Sequence, residues 1–361
     1  MNLVFVLGTA AELIKVYPLL HEAQARRAGW VVVHTGQNGE NFHRQVADFG
    51  LPPERIVRAL GHTRDLAHAL TALGWFCRCL VGGFSAFRGA LRKLRAPGGK
   101  TYVIVHGDTL STVVGSLWAR AARAELVHVE AGMRSRSWRS PFPEELNRRL
   151  VSRLAQRHMA SDAQAAANLA REGITRGVVI TNGNTVVDAL RLVVNPARSP
   201  GGYALANIHR FENLQSESRW RHIVELIARQ ARQRRLVFIL MPATRARLAA
   251  DVWATRLLRD AGVELRDRLP FREFALLLDG AEYVISDSGS NQQECHHLGR
   301  PCLIMRDRTE SIEGLADGTC VLASFDDGII DRFLANPAAH ICPRSFPATR
   351  PTDLIFRELA P

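Results

Sequence analysis

Short apolar runs that stop abruptly at a glycine or a carboxylate, with helix-patterned stretches between them, limit this chain more than any other feature. Leu3–Leu7 turns at Gly8-Thr9, and Val31–Thr35 turns at Gly36-Gln37-Asn38. Tyr102–Val105 runs into His106-Gly107-Asp108, and Leu126–Val129 stops at Glu130 and Gly132. Such runs read as strands buried in a parallel sheet, which deliver functional groups at their carboxyl ends. Asp108 and Glu130 are therefore expected to share one crevice. A further acidic pair, Glu144-Glu145, follows Pro141-Phe142-Pro143, whose prolines fit a rigid turn and a helix start. Acidic groups gathered at one sheet edge suggest acid/base chemistry.

Helical patterning runs from Ala10 to Arg27 and again between Thr63 and Leu94. It continues over Glu144–Leu154 and Ala163–Arg171, with strands near His158 and at Val178–Ile180. Asn195–Tyr203 (NPARSPGGY) has the composition of a linker, although a hinge near Gly173–Gly177 fits as well. After it the alternation restarts with Ala204–Ile208, a helix over Glu217–Arg234, Leu236–Met241, a helix to Asp260, Val263–Leu265, and Tyr283–Ser286. Strand-helix alternation of this kind implies an α/β chain of two doubly wound domains, facing across a cleft at the carboxyl ends of two sheets.

A chain of 361 residues that is 47% hydrophobic is long enough for two such domains, each with its own core. The greasiest region, Leu66–Leu91, is interrupted by His68, Arg78 and Arg88, which argues against a membrane span. The opening MNLVFVLGTAAE carries no basic leader and points to the cytoplasm. The six cysteines lack the paired spacing of structural zinc sites. Cys295, His296 and His297 are helix neighbours about 100° apart, so they do not converge on one ion, and no metal is expected. The charge of +12 is spread along the chain without a compact basic run, which fits an anionic small substrate better than nucleic acid.

The second half adds two chemical features. His209 stands at a strand end, and Val284–Glu294 (VISDSGSNQQE) breaks from a strand into a helix start. Backbone N–H groups there, with the Ser288 and Ser290 hydroxyls, suit a diphosphate, and Glu294 suits ribose hydroxyls. Lys15, early in the first helix, reads from spacing alone as a surface lysine.

Taken together, several motifs in order make the chain resemble the non-hydrolysing UDP-N-acetylglucosamine 2-epimerases, as a divergent branch. They are Gly8-Thr9 with Glu12 and Lys15, His34-Thr35-Gly36-Gln37, His106-Gly107-Asp108-Thr109, Glu130-Ala131-Gly132-Met133-Arg134 and Pro143-Glu144-Glu145-Leu146-Asn147-Arg148, followed by His209-Arg210 with Glu212-Asn213, and Ser286-Asp287-Ser288-Gly289 with Gln292 and Glu294. The resemblance implies a glycosyltransferase-B-like pair of Rossmann-like domains, usually a homodimer, with no bound nicotinamide or metal cofactor. Residues 1–175 would carry the acid/base carboxylates and 176–345 would hold UDP, with 346–361 packing back on the first domain. The implied reaction expels UDP from UDP-N-acetylglucosamine to leave a 2-acetamidoglucal, then adds it back to give UDP-N-acetylmannosamine. Asp108, Glu130, Glu144 and His209 become the implied catalytic set. Lys15, Arg134, Ser288, Gly289, Ser290, Glu294 and Arg306 become the implied substrate contacts.

Departures from the family pattern set further expectations. Ala10 and Ala11 replace an arginine and a proline, and Thr309-Glu310-Ser311-Ile312-Glu313 lacks another arginine, so Arg306, Arg308 or Arg210 would take over the diphosphate. Asn38 and Pro242-Ala243-Thr244 lack histidines tied to allosteric activation in the family, which implies non-sigmoidal kinetics. A hydrolysing 2-epimerase releasing free sugar and UDP, and a glycosyltransferase of the same architecture, are the rival readings.

Overall fold

The computed structural model describes residues 1–37, 39–60, 69–94, 99–135, 143–194, 201–309 and 312–360. Asn38, Pro141, Phe142, Glu310, Ser311 and the linker residues 195–200 lie outside them. The chain divides into two compact units, Met1–Leu192 with Pro347–Pro361, and Val193–Phe346.

In the first unit each apolar run becomes a strand because its side chains are buried on both faces, and each glycine turn releases the chain into a helix. The order is β1 (Asn2–Leu7), α1 (Ala10–Ala25), β2 (Gly29–His34), α2 (Gly39–Asp48), β3 (Ile56–Arg58), α3 (Ala69–Gly82) and α4 (Phe84–Leu94). It continues with β4 (Thr101–His106), α5 (Leu110–Ala121), β5 (Glu125–Ala131), α6 (Glu144–Leu154), β6 (Arg157–Ala160), α7 (Ala163–Arg171), β7 (Val178–Ile180) and α8 (Val186–Arg191). The seven strands form a parallel sheet in the order β3-β2-β1-β4-β5-β6-β7, so the chain reverses direction of winding between β1 and β4. That reversal opens a crevice at the carboxyl ends of β1 and β4, where loops part to opposite faces. Val4, Val6, Val33, Val103 and Val105 pack against Trp75, Phe87 and Trp118 on one face.

The second unit repeats the plan with β8 (Ala204–Asn207), α9 (Phe211–Gln215), α10 (Glu217–Ala231), β9 (Leu236–Leu240), α11 (Pro242–Ala249), α12 (Val252–Asp260), β10 (Glu264–Asp267) and α13 (Phe271–Gly280). It closes with β11 (Tyr283–Ser286), α14 (Gly289–Leu298), β12 (Cys302–Ile304), β13 (Cys320–Leu322) and α15 (Asp327–Ala335). Its six-stranded parallel sheet has the order β10-β9-β8-β11-β12-β13, again with a reversal, here between β8 and β11. The core gathers Trp220, Ile223, Ile227, Phe238, Tyr283 and Phe333.

A last helix, α16 (Pro351–Leu359), belongs to the first unit. Asp188 Oδ2 accepts the Thr352 amide at 2.8 Å, Arg350 pairs with Glu22 at 3.1 Å, and Arg157 pairs with Glu358. The division falls at Leu192–Val193 rather than at 175, because β7 completes the first sheet beside β6 and α8 packs on α1. The helical region before Leu94 is two helices. They break where Gly83 lies so close to the Trp118 indole that a Cβ there would approach it to 2.7 Å. A second break, at Asp251, separates α11 from α12, because the Asp251 carboxylate caps α12 through the Ala254 amide. Among the described residues no helix is long and apolar enough to cross a membrane.

Burial shifts the titration of three imidazoles in the first unit. Burial pushes His34 and His128 down to about 3 and His158 down to about 4. In the unfolded chain each titrates near pH ~6.5. As pH falls through that value the unfolded state takes up protons that the folded state refuses until about pH 3–4, so these groups favour folding above pH ~6.5 and progressively less below it. The urea midpoint is therefore expected to fall between pH 7 and pH 5, and a flat midpoint across that window would count against the assignment.

Candidate active site

The first turn of α1 is built by a capping box. Thr9 Oγ1 accepts the Glu12 amide at 3.2 Å, and Glu12 Oε2 accepts the amides of Gly8 and Thr9 at 3.0 and 2.8 Å. Glu12 Oε1 also accepts the hydroxyl of Thr109, the cap of α5, at 2.8 Å. Burial pushes the Glu12 carboxyl up, against these hydrogen bonds, which pull it down. One carboxylate thereby ties the loops after β1 and β4 together and fixes the backbone next to Asp108.

Asp108 leaves that loop about a quarter exposed. Arg148 places its Nε 2.7 Å and one terminal nitrogen 2.6 Å from Asp108 Oδ2, while Asn147 Nδ2 donates to the Asp108 carbonyl at 2.8 Å. Both partners stand on the second turn of α6, whose first residue is Glu144. Glu144 Oε2 is enclosed with no hydrogen-bond partner among the described residues.

Glu130 sits in a bulge at the end of β5. The register with β6 shifts between Val129 and Ala131, and Glu130 takes φ +64°, a left-handed conformation that costs a non-glycine residue about 1–2 kcal/mol. Gly132 completes the turn at φ +84°, where a Cβ would stand 2.2 Å from the Ala165 carbonyl oxygen. Lys15 Nζ donates to Glu130 Oε2 at 2.6 Å and Asn184 Nδ2 donates to the same oxygen at 2.8 Å. His106 Nε2 stands 3.1 Å from it, at ion-pair distance but without good hydrogen-bond alignment. Burial favours the neutral acid, yet Lys15 and His106 prevail and hold the Glu130 carboxyl well below the usual range. All three contacts fall on Oε2 and leave Oε1 outside them.

Arg134 does not join this group. Its guanidinium is buried in a fork with Glu172, at 2.8 and 2.9 Å, and reaches Ser152 at 3.2 Å and Glu145 at 4.0 Å. It braces α6 against the end of α7. Arg134→Ala removes the fork on Glu172, which keeps Arg149 at 2.9 Å, and is expected to cost about 1.5–3 kcal/mol. The loss should appear as a lowered Tm with nucleotide affinity intact; the reverse result would restore Arg134 to the ligand.

The second unit presents its own set at the carboxyl ends of β8 and β11. Asp287 is fully buried and its carboxylate accepts the backbone N–H of His209 at 3.0 and 3.2 Å, that of Arg210 at 2.9 Å, and Asn213 Nδ2 at 3.0 Å. That grip places His209, about a third exposed, with Nδ1 3.5 Å from Asp287 Oδ1. Burial lowers the His209 pKa, against the pull of Asp287. Ser288 caps α14, and beside it the Arg210 guanidinium lies 4.0 Å from where a Gly289 Cβ would stand. Ser290 is exposed one residue on, so free amides, a hydroxyl and a cation meet at one helix start. Glu294 is buried behind it and accepts Asn291 Nδ2 at 2.8 Å. Arg306 is also buried, with Nε 4.0 Å from Glu212 Oε1.

Cys295 is buried, His296 pairs with Asp317 at 2.9 Å, and His297 Nδ1 lies 2.5 Å from the Ser345 carbonyl, so the three side chains diverge. Among the described residues no group of three or more His, Cys, Asp or Glu side chains is placed to hold a metal ion. Two contributors escaped the sequence reading as site residues, His106 and Asn184. The first lay inside a motif quoted for its aspartate; the second carries the signal of a Gly-Asn turn before an apolar helix.

The family model described as UDP-N-acetylglucosamine 2-epimerase matches residues 21–340. The UDP-N-acetylglucosamine 2-epimerase of Salmonella borreze is 31% identical over 339 residues, covering 89% of this chain and 85% of its own. That of Methanocaldococcus jannaschii is 28% identical over 342 residues, covering 89% and 88%. The crystal structure of UDP-GlcNAc 2-epimerase from Neisseria meningitidis, bound to UDP-GlcNAc, superposes with a TM-score of 0.77 at 26% identity, covering 99% of each chain.

Proposed function

Because the chain belongs to the UDP-N-acetylglucosamine 2-epimerase family, we propose that it interconverts UDP-N-acetylglucosamine and UDP-N-acetylmannosamine by eliminating UDP and adding it back. The observation that carries this reading is the Glu130 carboxylate, kept ionised by Lys15 and His106, with these contacts on one of its two oxygens. The hydrogen at carbon 2 of the sugar is weakly acidic, so a base has to be fixed against it. Inversion needs a second group on the opposite face, and Asp108 and Glu144 supply candidates from one helix–loop cluster. Departure of UDP needs its diphosphate stabilised, and the start of α14 with Arg210 and His209 suits that charge. Lys15 acts through Glu130 in this scheme.

A hydrolysing outcome, releasing N-acetylmannosamine and UDP, is the second reading. It is favoured by Ala10, which puts a buried methyl where the family pattern has an arginine. Incubation with UDP-N-acetylglucosamine in deuterated water separates the two. Deuterium at carbon 2 with UDP-N-acetylmannosamine is the expected result, free sugar with UDP supports hydrolysis, and an inert substrate sinks both.

The proposal extends to a cytoplasmic homodimer. Leu73 and Val81 of α3 are 61% and 79% exposed, and Leu146 and Leu150 of α6 are 51% and 38% exposed. Apolar surface on helices that both flank α5 suits a second copy of the chain. Light scattering should give twice the chain mass of 40.1 kDa, and a value near one chain mass would refute it.

A further inference from the structure

Asn184 stands between β7 and α8, 54 residues from Glu130 in sequence, and has both ends of its amide engaged. Its Oδ1 accepts the Val186 amide at 3.0 Å and so closes the turn that starts α8, which leaves Nδ2 to face Glu130 Oε2 at 2.8 Å. The turn itself is pinned. The Thr181 amide donates to the Ala160 carbonyl at 2.8 Å and the Gly183 amide donates to the Ser161 carbonyl at 2.7 Å. Beyond the turn, α8 is fastened by Asp188, which accepts the Thr352 amide at 2.8 Å, and by Arg191, which donates to the Pro347 carbonyl.

The other partners of Glu130 are less able to fix it. Lys15, from α1, carries its ammonium on a flexible four-carbon stem and can follow the carboxylate wherever it moves. His106, from β4, is poorly aligned for a hydrogen bond. The backbone of Glu130 is a left-handed residue in a bulge, which gives the side chain no regular strand direction. A short amide on a pinned turn is the rigid contact. We propose that Asn184 is a positioning residue for the epimerisation: it anchors Oε2 of Glu130 so that Oε1 is aimed at the reacting carbon of the bound sugar. This rests on the epimerase reading and names a residue that serves it.

Two substitutions separate positioning from turn closure. Asn184→Asp keeps an oxygen for the Val186 amide but turns an oxygen, in place of the N–H donor, toward Glu130. Asn184→Ala loses both contacts without adding repulsion. With UDP-N-acetylglucosamine as substrate, Asn184→Asp is expected to lower kcat by about 100-fold and Asn184→Ala by about tenfold, with KM moving far less. The limb of the pH profile set by Glu130 should move upward in Asn184→Asp, because a second carboxylate then joins Lys15 and His106, the groups that face Glu130 among the described residues. A purely structural cap predicts the opposite order, with Asp close to wild type and Ala the worse; that order overturns the proposal. Should the wild type itself fail to act on this substrate, the functional reading falls, and titration of the Glu130 carboxyl carbon by NMR, assigned with Glu130→Gln, still decides the inference. An upward shift in Asn184→Asp sustains the anchoring contact, and an unmoved titration removes it.

Discussion

Replacing Glu130 with glutamine is expected to lower kcat by about 1,000-fold, within the range that loss of a positioned general acid or base produces. The substitution preserves shape and removes the negative charge that Lys15, 2.6 Å away, and His106, 3.1 Å away, stabilise. It therefore tests charge without emptying the crevice. The effect should fall on kcat and on deuterium incorporation at carbon 2, with KM changing little, since an interaction made chiefly in the transition state is lost. If exchange at carbon 2 proceeds at the wild-type rate in the variant, another group takes the proton and Asp108 or Glu144 inherits the role.

The second large effect belongs to Asp287 in the other unit. With no exposed surface, it collects the amides of His209 and Arg210 and the side chain of Asn213. Asp287→Ala leaves the two amides without that acceptor, while Asn213 Nδ2 keeps the Met305 carbonyl at 2.9 Å, at a cost of about 1–3 kcal/mol for each stranded amide. The expected result is a sharply lowered denaturation midpoint for the second unit, together with lower kcat as the His209 loop loses its anchor. Asp287→Asn keeps one acceptor oxygen and should fall between wild type and alanine. A wild-type midpoint in Asp287→Ala would mean the loop is held elsewhere.

How far the sequence anticipates these arrangements depends on the range of the interactions involved. Asp108 and Glu130 stand at or just beyond the ends of two strands that pair in parallel, and strand ends are legible as apolar runs broken by glycine. Glu144 follows because its helix is announced by proline and packs on the same loop. The strands Val178–Ile180 and Tyr283–Ser286 lie where their apolar pattern places them. Three residues are too few to show a period, so Val178–Ile180 is legible only as an apolar run, and β3, β12 and β13 are fixed by pairing with their neighbours. Arg134 sits in a motif beside Glu130, yet its partner Glu172 lies 38 residues away, and no local pattern records that choice. Asn184 escaped notice for the same reason.

The second unit interrupts the first: residues 193–346 stand between α8 and α16. On a ribosome the stretch that starts first is therefore the one that finishes last. The interrupting unit is continuous and can complete its sheet as soon as it has emerged. Meanwhile Asp188 lacks the Thr352 amide, and the surface that will receive Ile355, Phe356 and Leu359, all buried in the finished protein, stays open to solvent. During that interval the nascent chain offers an apolar strip suited to a chaperone. The second unit is thus complete before α16 closes the first, so residues 351–359 finish a unit that began with β1.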